Sequence, residues 1–295
     1  MARKISEIFF QELAKMPILE YVKSDDTLDM ELRGDSVIVY YRGGKLLTLK
    51  ENPITLEPLD KDYHKGSEPP AIVNIIDYIP QAKHIIDKYV VEVKNHLWEK
   101  EIQQRVVLEN NYSKNSLDTD FFIIDIEYQD IGRADIVALR WDSTSPARKL
   151  SKNYLPKITI FEVKQGTNSI KGQSGMSSHL NDFNQLIANK EKVEDFKKDM
   201  IAVFEQKREL GLIVKMEKYG KINKVADDID FVFLLANYKS KSENLVNELA
   251  LLPDKCKFIY ANPMGYGLYA ENIVDKKEFI MRFFRQSLSI STSTK

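Results

Sequence analysis

The stretch Lys157-Ile-Thr-Ile-Phe-Glu-Val-Lys164 constrains this chain more than any other. Its apolar and β-branched alternation predicts a strand. Alternate residues of a strand share a face, so Glu162 and Lys164 project together from its end. Upstream, Phe121 to Tyr128 and Arg133 to Trp141 predict a hairpin closed by the turn Gln129-Asp130-Ile131-Gly132. The second arm carries a lone acid, Asp135, flanked by Ala134, Ile136 and Val137. Charges inside apolar strands are costly unless they are paired or hold a cation. The fold must therefore either pair these three groups or use them.

The same acid-x-Lys spacing recurs at Glu92-Val-Lys94, Asp195-Phe-Lys197, Glu205-Gln-Lys207 and Asp275-Lys-Lys277. Those four fall in helical patterns, where residues i and i+2 do not face one way. Around the central block, periodicity predicts helices over residues 81–108, 177–189, 190–211, 242–251 and 276–287, and strands over 231–238 and 257–261, with an edge strand at 267–270. The N-terminal part differs. A helix over 5–16 stops before Pro17, and three short strands (28–32, 37–41, 46–49) are joined by turns at Arg33-Gly-Asp-Ser36 and Arg42-Gly-Gly-Lys45. Residues 51–71 hold Pro53, Pro58, Pro69 and Pro70 and read as a loop or linker, which sets a boundary near residue 70.

With 43% hydrophobic and 10% aromatic residues, the chain has the material for a sizeable core and is too apolar for a disordered one. Its 43 Lys+Arg against 44 Asp+Glu exclude a globally basic coat for nucleic acid but not a local basic groove. The single cysteine, Cys256, excludes an internal disulfide framework and a zinc site of several thiolates. No apolar run reaches the ~18 residues of a membrane span, and the basic start lacks an apolar h-region. A cytoplasmic protein is expected.

Two carboxylates at the ends of neighbouring strands make a hard-oxygen site suited to Mg²⁺ or Mn²⁺. Such a cation lowers the pKa of bound water, and Lys164 is placed to orient that water or stabilise developing charge. In this the chain resembles the PD-(D/E)XK nuclease superfamily, the restriction-endonuclease-like phosphodiesterases. Asp135 matches that family's Asp, and Glu162 and Lys164 match its (D/E)-x-K. Glu99, in Trp98-Glu-Lys-Glu-Ile-Gln-Gln-Arg-Val106, matches its helical Glu, with Glu101 as the alternate. The resemblance covers about residues 95 to 240. Ala134 stands where the family name has Pro, and the interval from Asp135 to Glu162 requires residues 142–156 to be an insertion.

The resemblance implies an α/β fold: a restriction-endonuclease-like mixed central sheet flanked by helices, over residues 71–295. Residues 1–70 form a small helix plus antiparallel β-meander module before it. It implies metal-dependent cleavage of nucleic-acid phosphodiesters, DNA favoured, with Asp135, Glu162 and Glu99 on Mg²⁺ (or Mn²⁺) and Lys164 at the water. The alternative is a catalytically inactive nuclease-fold module that binds nucleic acid or a protein partner. A homodimer is compatible with either. On the helix after Lys164, spacings of three place His179, Asp182 and Gln185 on one face; Gln185 is expected to assist, and His179 ranks behind it. The segment from Gly166 to Gly175 matches no phosphate-loop pattern and is expected to be a mobile loop beside the site. Nucleic-acid contacts are expected from Arg140, Lys149, Lys152 and Lys171, with Arg148 and Lys157 in the same basic stretch; Arg33, Arg42 and Lys45 ornament the N-terminal turns.

Overall fold

In a computed structural model, residues 2–92, 98–129, 134–151, 154–165, 175–237, 242–261 and 265–288 are described. The chain is α/β, with two sheets. Helix α1 (Glu7–Leu13) begins at Ser6, whose Oγ accepts the Phe9 N–H at 3.1 Å. The expected helix over 5–16 does end before Pro17, but a second helix starts there. Pro17 opens α2 (Pro17–Ser24), where its missing N–H costs nothing. Strands β1 (Leu28–Leu32), β2 (Ser36–Tyr41), β3 (Gly44–Lys50) and β4 (Thr55–Pro58) form an antiparallel sheet in chain order. Residues 55–58, expected as loop, pair with β3 as an edge strand, a position that tolerates Pro58.

Helix α3 (Ile75–Glu92) lies against β3: the Tyr78 hydroxyl donates to Leu46 O at 2.9 Å and accepts the Leu59 N–H at 2.7 Å. Helix α4 (Trp98–Val107) follows and ends in a π-helical turn over Leu108–Tyr112. That turn buries Asn111, which donates to Ile123 O and accepts the Ile123 N–H, both at 2.8 Å. Asn111 thereby satisfies the open edge of the larger sheet, a hazard when left bare.

The larger sheet runs β10–β9–β8–β7–β6–β5. It comprises β5 (Phe121–Tyr128), β6 (Ala134–Arg140), β7 (Lys157–Gln165), β8 (Asp230–Ala236), β9 (Lys257–Ala261) and β10 (Val274–Asp275). The first three strands are antiparallel, β7–β8 and β8–β9 are parallel, and β10 is antiparallel to β9. The edge strand expected at 267–270 is instead β10. Between β6 and β7, the described residues of the expected insertion form a short helix, α5 (Ser145–Arg148), and no strand. Helices α6 (Met176–Ala188) and α7 (Lys190–Glu209) precede β8, α8 (Glu243–Leu251) precedes β9, and α9 (Lys276–Leu288) follows β10.

Strand periodicity divides the core. Val137, Leu139, Ile158 and Ile160 face Phe196, Met200 and Phe204 of α7. Ile136, Phe161, Val163 and Leu234 face Ile102 and Val106 of α4 on the other side. Beyond β8, the rings of Phe231, Phe233, Phe258 and Phe279 follow one another with centroids 5.1, 5.5 and 5.0 Å apart. Each such pair adds about 0.5–1.5 kcal/mol beyond its area burial.

The apolar cluster on the α7 face is continuous with Leu28, Met30, Val39 and Leu47 of the small sheet, across the boundary expected near residue 70. Charges seal the same junction. Lys207 of α7 bonds Glu31 of β1 at 2.6 Å, with both side chains fully buried. Arg33, expected to ornament an exposed turn, is buried in a close ion pair with Asp125 of β5 and donates to Ile126 O at 2.8 Å. Arg3 Nε lies 3.0 Å from the other Asp125 oxygen. Among the described residues, no helix is long and apolar enough to cross a membrane.

Candidate active site

Asp135 is the second residue of β6, and Glu162 and Lys164 close β7. The β6–β7 ladder pairs Ile136 with Phe161, so one further step in the same register sets Asp135 opposite Glu162. All three side chains fall on the sheet face that Val137 and Ile160 share, at the rim where β6 begins and β7 ends. At this point the ladder is replaced: the Val163 N–H donates to Asp135 Oδ2 at 2.8 Å.

None of the three is exposed: Asp135 is 2%, Glu162 1% and Lys164 2% accessible. Lys164 Nζ donates to Glu162 Oε1 at 2.6 Å. His179, in the first turn of α6, brings Nδ1 to 3.1 Å from the same oxygen. The second oxygen, Glu162 Oε2, is buried and has no donor among the described residues. The Glu162 carboxyl as a whole lies beside that of Asp135, which interacts with it. Two carboxylates approach in this way only around a proton or a cation.

The electrostatics carry the same imprint. Burial raises the Asp135 carboxyl well above the usual carboxylate range; Glu162 and then Glu99 add to the rise, while Lys164 and the Val163 N–H oppose it. Burial also pushes Glu162 up to about 7, against the pull of Lys164, and Glu99 adds to this rise as well. Two carboxylates therefore share the rim with Lys164, under the added negative field of Glu99. Glu99 acts on both carboxyls through its charge from the N-terminal turn of α4, a helix that covers the opposite face of the sheet.

Glu101 does not join them. Two residues along a helix turn the side chain by ~200°, and Glu101 instead bonds Arg105 at 2.8 Å and Arg42 at 3.5 Å. Gln185 also stands apart. It is exposed six residues beyond His179, ~9 Å along α6 and ~120° away around it. His179, ranked behind Gln185 on the sequence, is the residue of α6 that touches Glu162. The only signal for it in the chain was its place near the start of α6.

The expected nucleic-acid contacts divide. Lys152 and Lys171 lie outside the described residues, as does most of the 166–175 segment. Arg140 ends β6 opposite Lys157, at the far rim of the sheet, five residues (~17 Å) along β7 from Glu162. Its Nε bonds Asp142 at 2.8 Å. Lys149 follows α5 at that same far end. The connection between antiparallel strands leaves from the end opposite to the one where Asp135 enters. Nearness in sequence therefore does not place Arg140 and Lys149 beside the carboxylates.

The donor set suits a hard cation: buried carboxylate oxygens, one of them without a donor among the described residues, in a negatively biased rim. No group of three or more His, Cys, Asp or Glu stands ready to hold a metal ion among the described residues. Asp135 and Glu162 are the residues that would hold such a cation, with water or substrate oxygens left to supply the rest of its ligands. Compared with protein-family models, curated proteins and solved structures, the chain has no match in any of the three.

Proposed function

We propose that the chain is a metal-dependent nuclease of the restriction-endonuclease-like fold, hydrolysing phosphodiester bonds of nucleic acid, with DNA as the favoured substrate. The observation that carries this reading is the buried convergence of Asp135 and Glu162, with Glu162 Oε2 lacking a donor among the described residues while Lys164 holds Oε1. The order antiparallel hairpin, third strand, helix, parallel strand around that site supports the fold assignment.

Asp135 and Glu162 hold Mg²⁺ (or Mn²⁺), and Glu99 ligates it or orients its water. The bound ion supplies an activated water near neutral pH and shields the phosphate charge. Each protein group has its own task. The Val163 N–H fixes the Asp135 carboxylate, leaving its other oxygen for the site. Lys164 Nζ is a point donor next to the carboxylate pair, placed to orient the attacking water and to stabilise charge as it develops. His179 Nδ1, donating when protonated, holds the Glu162 carboxylate from the helix side. Burial by the sheet and α6 keeps the site dry, which strengthens each of these interactions.

Supercoiled plasmid and a labelled oligonucleotide, incubated with Mg²⁺ or Mn²⁺ and separately with EDTA, test the reading. Cleavage is expected with either ion and not in EDTA, and is expected to vanish in Asp135→Asn and Lys164→Met. Cleavage that persists in EDTA, or in Asp135→Asn, rejects the mechanism. Cation binding without cleavage of any DNA or RNA would move the reading to a binding module of the same fold.

A further inference from the structure

At the opposite end of the large sheet lies a cavity of about 630 Å³ lined by Ser143, Ser145, Arg148, Lys149, Lys218, Tyr219 and Gly220. That lining holds three cations and no acid. Arg148 is only 4% exposed. Its guanidinium stacks on Phe122, 4.5 Å from the ring centroid, with Trp141 at 5.7 Å and Tyr219 at 5.9 Å. Nη2 donates to Thr119 O at 2.7 Å and Leu117 O at 3.3 Å. Nε and Nη1 are buried and have no acceptor among the described residues.

A buried guanidinium is normally matched by a carboxylate. The two acids that Arg148 senses, Asp120 and Asp142, are each committed elsewhere. Asp120 accepts the Ser143 and Ala270 N–H groups at 2.7 and 2.8 Å, and Asp142 accepts Arg140 Nε at 2.8 Å. Among the described residues Arg148 is therefore a charge without a counterion, on the wall of a cavity that two further ammonium groups and two hydroxyls also line.

We propose that this cavity binds a phosphate monoester, with Arg148 as the buried cation, Lys149 and Lys218 at the mouth, and Ser143 and Ser145 as hydroxyl donors. A guanidinium matches phosphate oxygens with parallel N–H donors, and an all-cationic lining favours a dianion over a carboxylate. The volume leaves room for the organic group of the ester, with the half-buried Tyr219 ring as a wall. The site is separate from the Asp135–Glu162 rim and does not depend on how that rim functions. The phosphate belongs either to a small metabolite or to the 5′ end of a nucleic acid; both present the same dianion.

The test is made on the full chain in EDTA, so that no cleavage intervenes. Inorganic phosphate is titrated by calorimetry and by thermal melting, followed by a nucleoside monophosphate and by one oligonucleotide with a 5′-phosphate or a 5′-hydroxyl. Phosphate is expected to bind and to raise the melting temperature of the wild type. Affinity is expected to fall on the order of tenfold or more in Arg148→Lys, which keeps the charge but loses the fork, and in the double change Lys149→Ala/Lys218→Ala. Should Arg148→Lys fail to fold, the double variant, built on exposed residues, decides alone. Preference for the 5′-phosphorylated oligonucleotide assigns a nucleic-acid end, and preference for the mononucleotide a small metabolite. No binding at about 10 mM phosphate, the weak end of specific recognition, or binding undiminished in the double variant, overturns the proposal.

Discussion

Glu162→Gln is expected to stabilise the cation-free protein above pH 7 while removing the nuclease activity proposed above. The carboxyl of Glu162 moves from an ordinary 4.5 to about 7, chiefly through burial. Its folded-state value lies above the unfolded one, so the folded chain holds the proton more tightly. The stability this supplies is complete below pH 4.5 and is lost as pH rises through about 7. A rise from 4.5 to about 7 corresponds to about 3 kcal/mol, the most that keeping the site ionised costs the fold. Glutamine has nearly the same shape, stays neutral, and its Oε1 still accepts from Lys164. The variant should therefore recover up to about 3 kcal/mol at pH 8.5 and nothing at pH 4. Denaturant titration in EDTA at the two pH values reads this directly, and for a chain of this length it amounts to about 5 °C in Tm. If Glu162→Gln instead loses more than about 1 kcal/mol at pH 8.5, the Glu162–Lys164 pair is a net-stabilising ion pair. There is then no excess of negative charge for a cation to neutralise.

Four further outcomes follow from the same geometry. Affinity for Mn²⁺, measured by calorimetry, should fall about tenfold per pH unit below about 7, because the ion must displace the proton held by Glu162; a flat profile from pH 5 to 8 contradicts it. Asp135→Asn should abolish Mn²⁺ binding yet melt close to the wild type, since the Asn carbonyl still accepts the Val163 N–H. Lys164→Met leaves Glu162 without its ammonium and should cost about 3–5 kcal/mol above pH 7, less at pH 6 where Glu162 takes a proton; equal losses at both pH values point to packing alone. At the junction of the sheets, Lys207→Met should cost a similar amount, and adding Glu31→Gln should restore part of it; strictly additive losses would show that the two groups are not coupled.

What could be read from the sequence, and what could not, divides along physical lines. The hairpin and β7 announced themselves because two-residue periodicity and β-branched residues coincide there, and their antiparallel register alone brings Asp135 to Glu162. Misreadings arose where a local rule was carried too far. Spacings of three place His179 and Asp182 near one another, but over two turns the face drifts, and Gln185 leaves it. Pro17 was a stop signal for α1 and equally a start signal for α2. Leu28-Asp-Met-Glu-Leu32 alternates as a half-exposed strand should, yet all five residues are buried, and Glu31 is answered by Lys207 of α7 and by Arg33, the residue that follows β1. Nothing local in a sequence tells a charge turned to water from one turned to a partner 176 residues away. The Glu162–Lys164 pair shows the same limit from the other side: the spacing alone fits an exposed ion pair as well as a buried one, and the structure buries it.

The most direct trial of the central claim is diffraction from crystals soaked in Mn²⁺, with anomalous density sought at the rim where β6 begins and β7 ends. The account predicts a single peak bonded to both Asp135 and Glu162 at the ~2.0–2.2 Å of a hard cation on carboxylate oxygen, lost in crystals of Asp135→Asn. Crystals soaked to saturation that show no density there, with Lys164 still bonded to Glu162 and the two carboxyls sharing a proton, would contradict it.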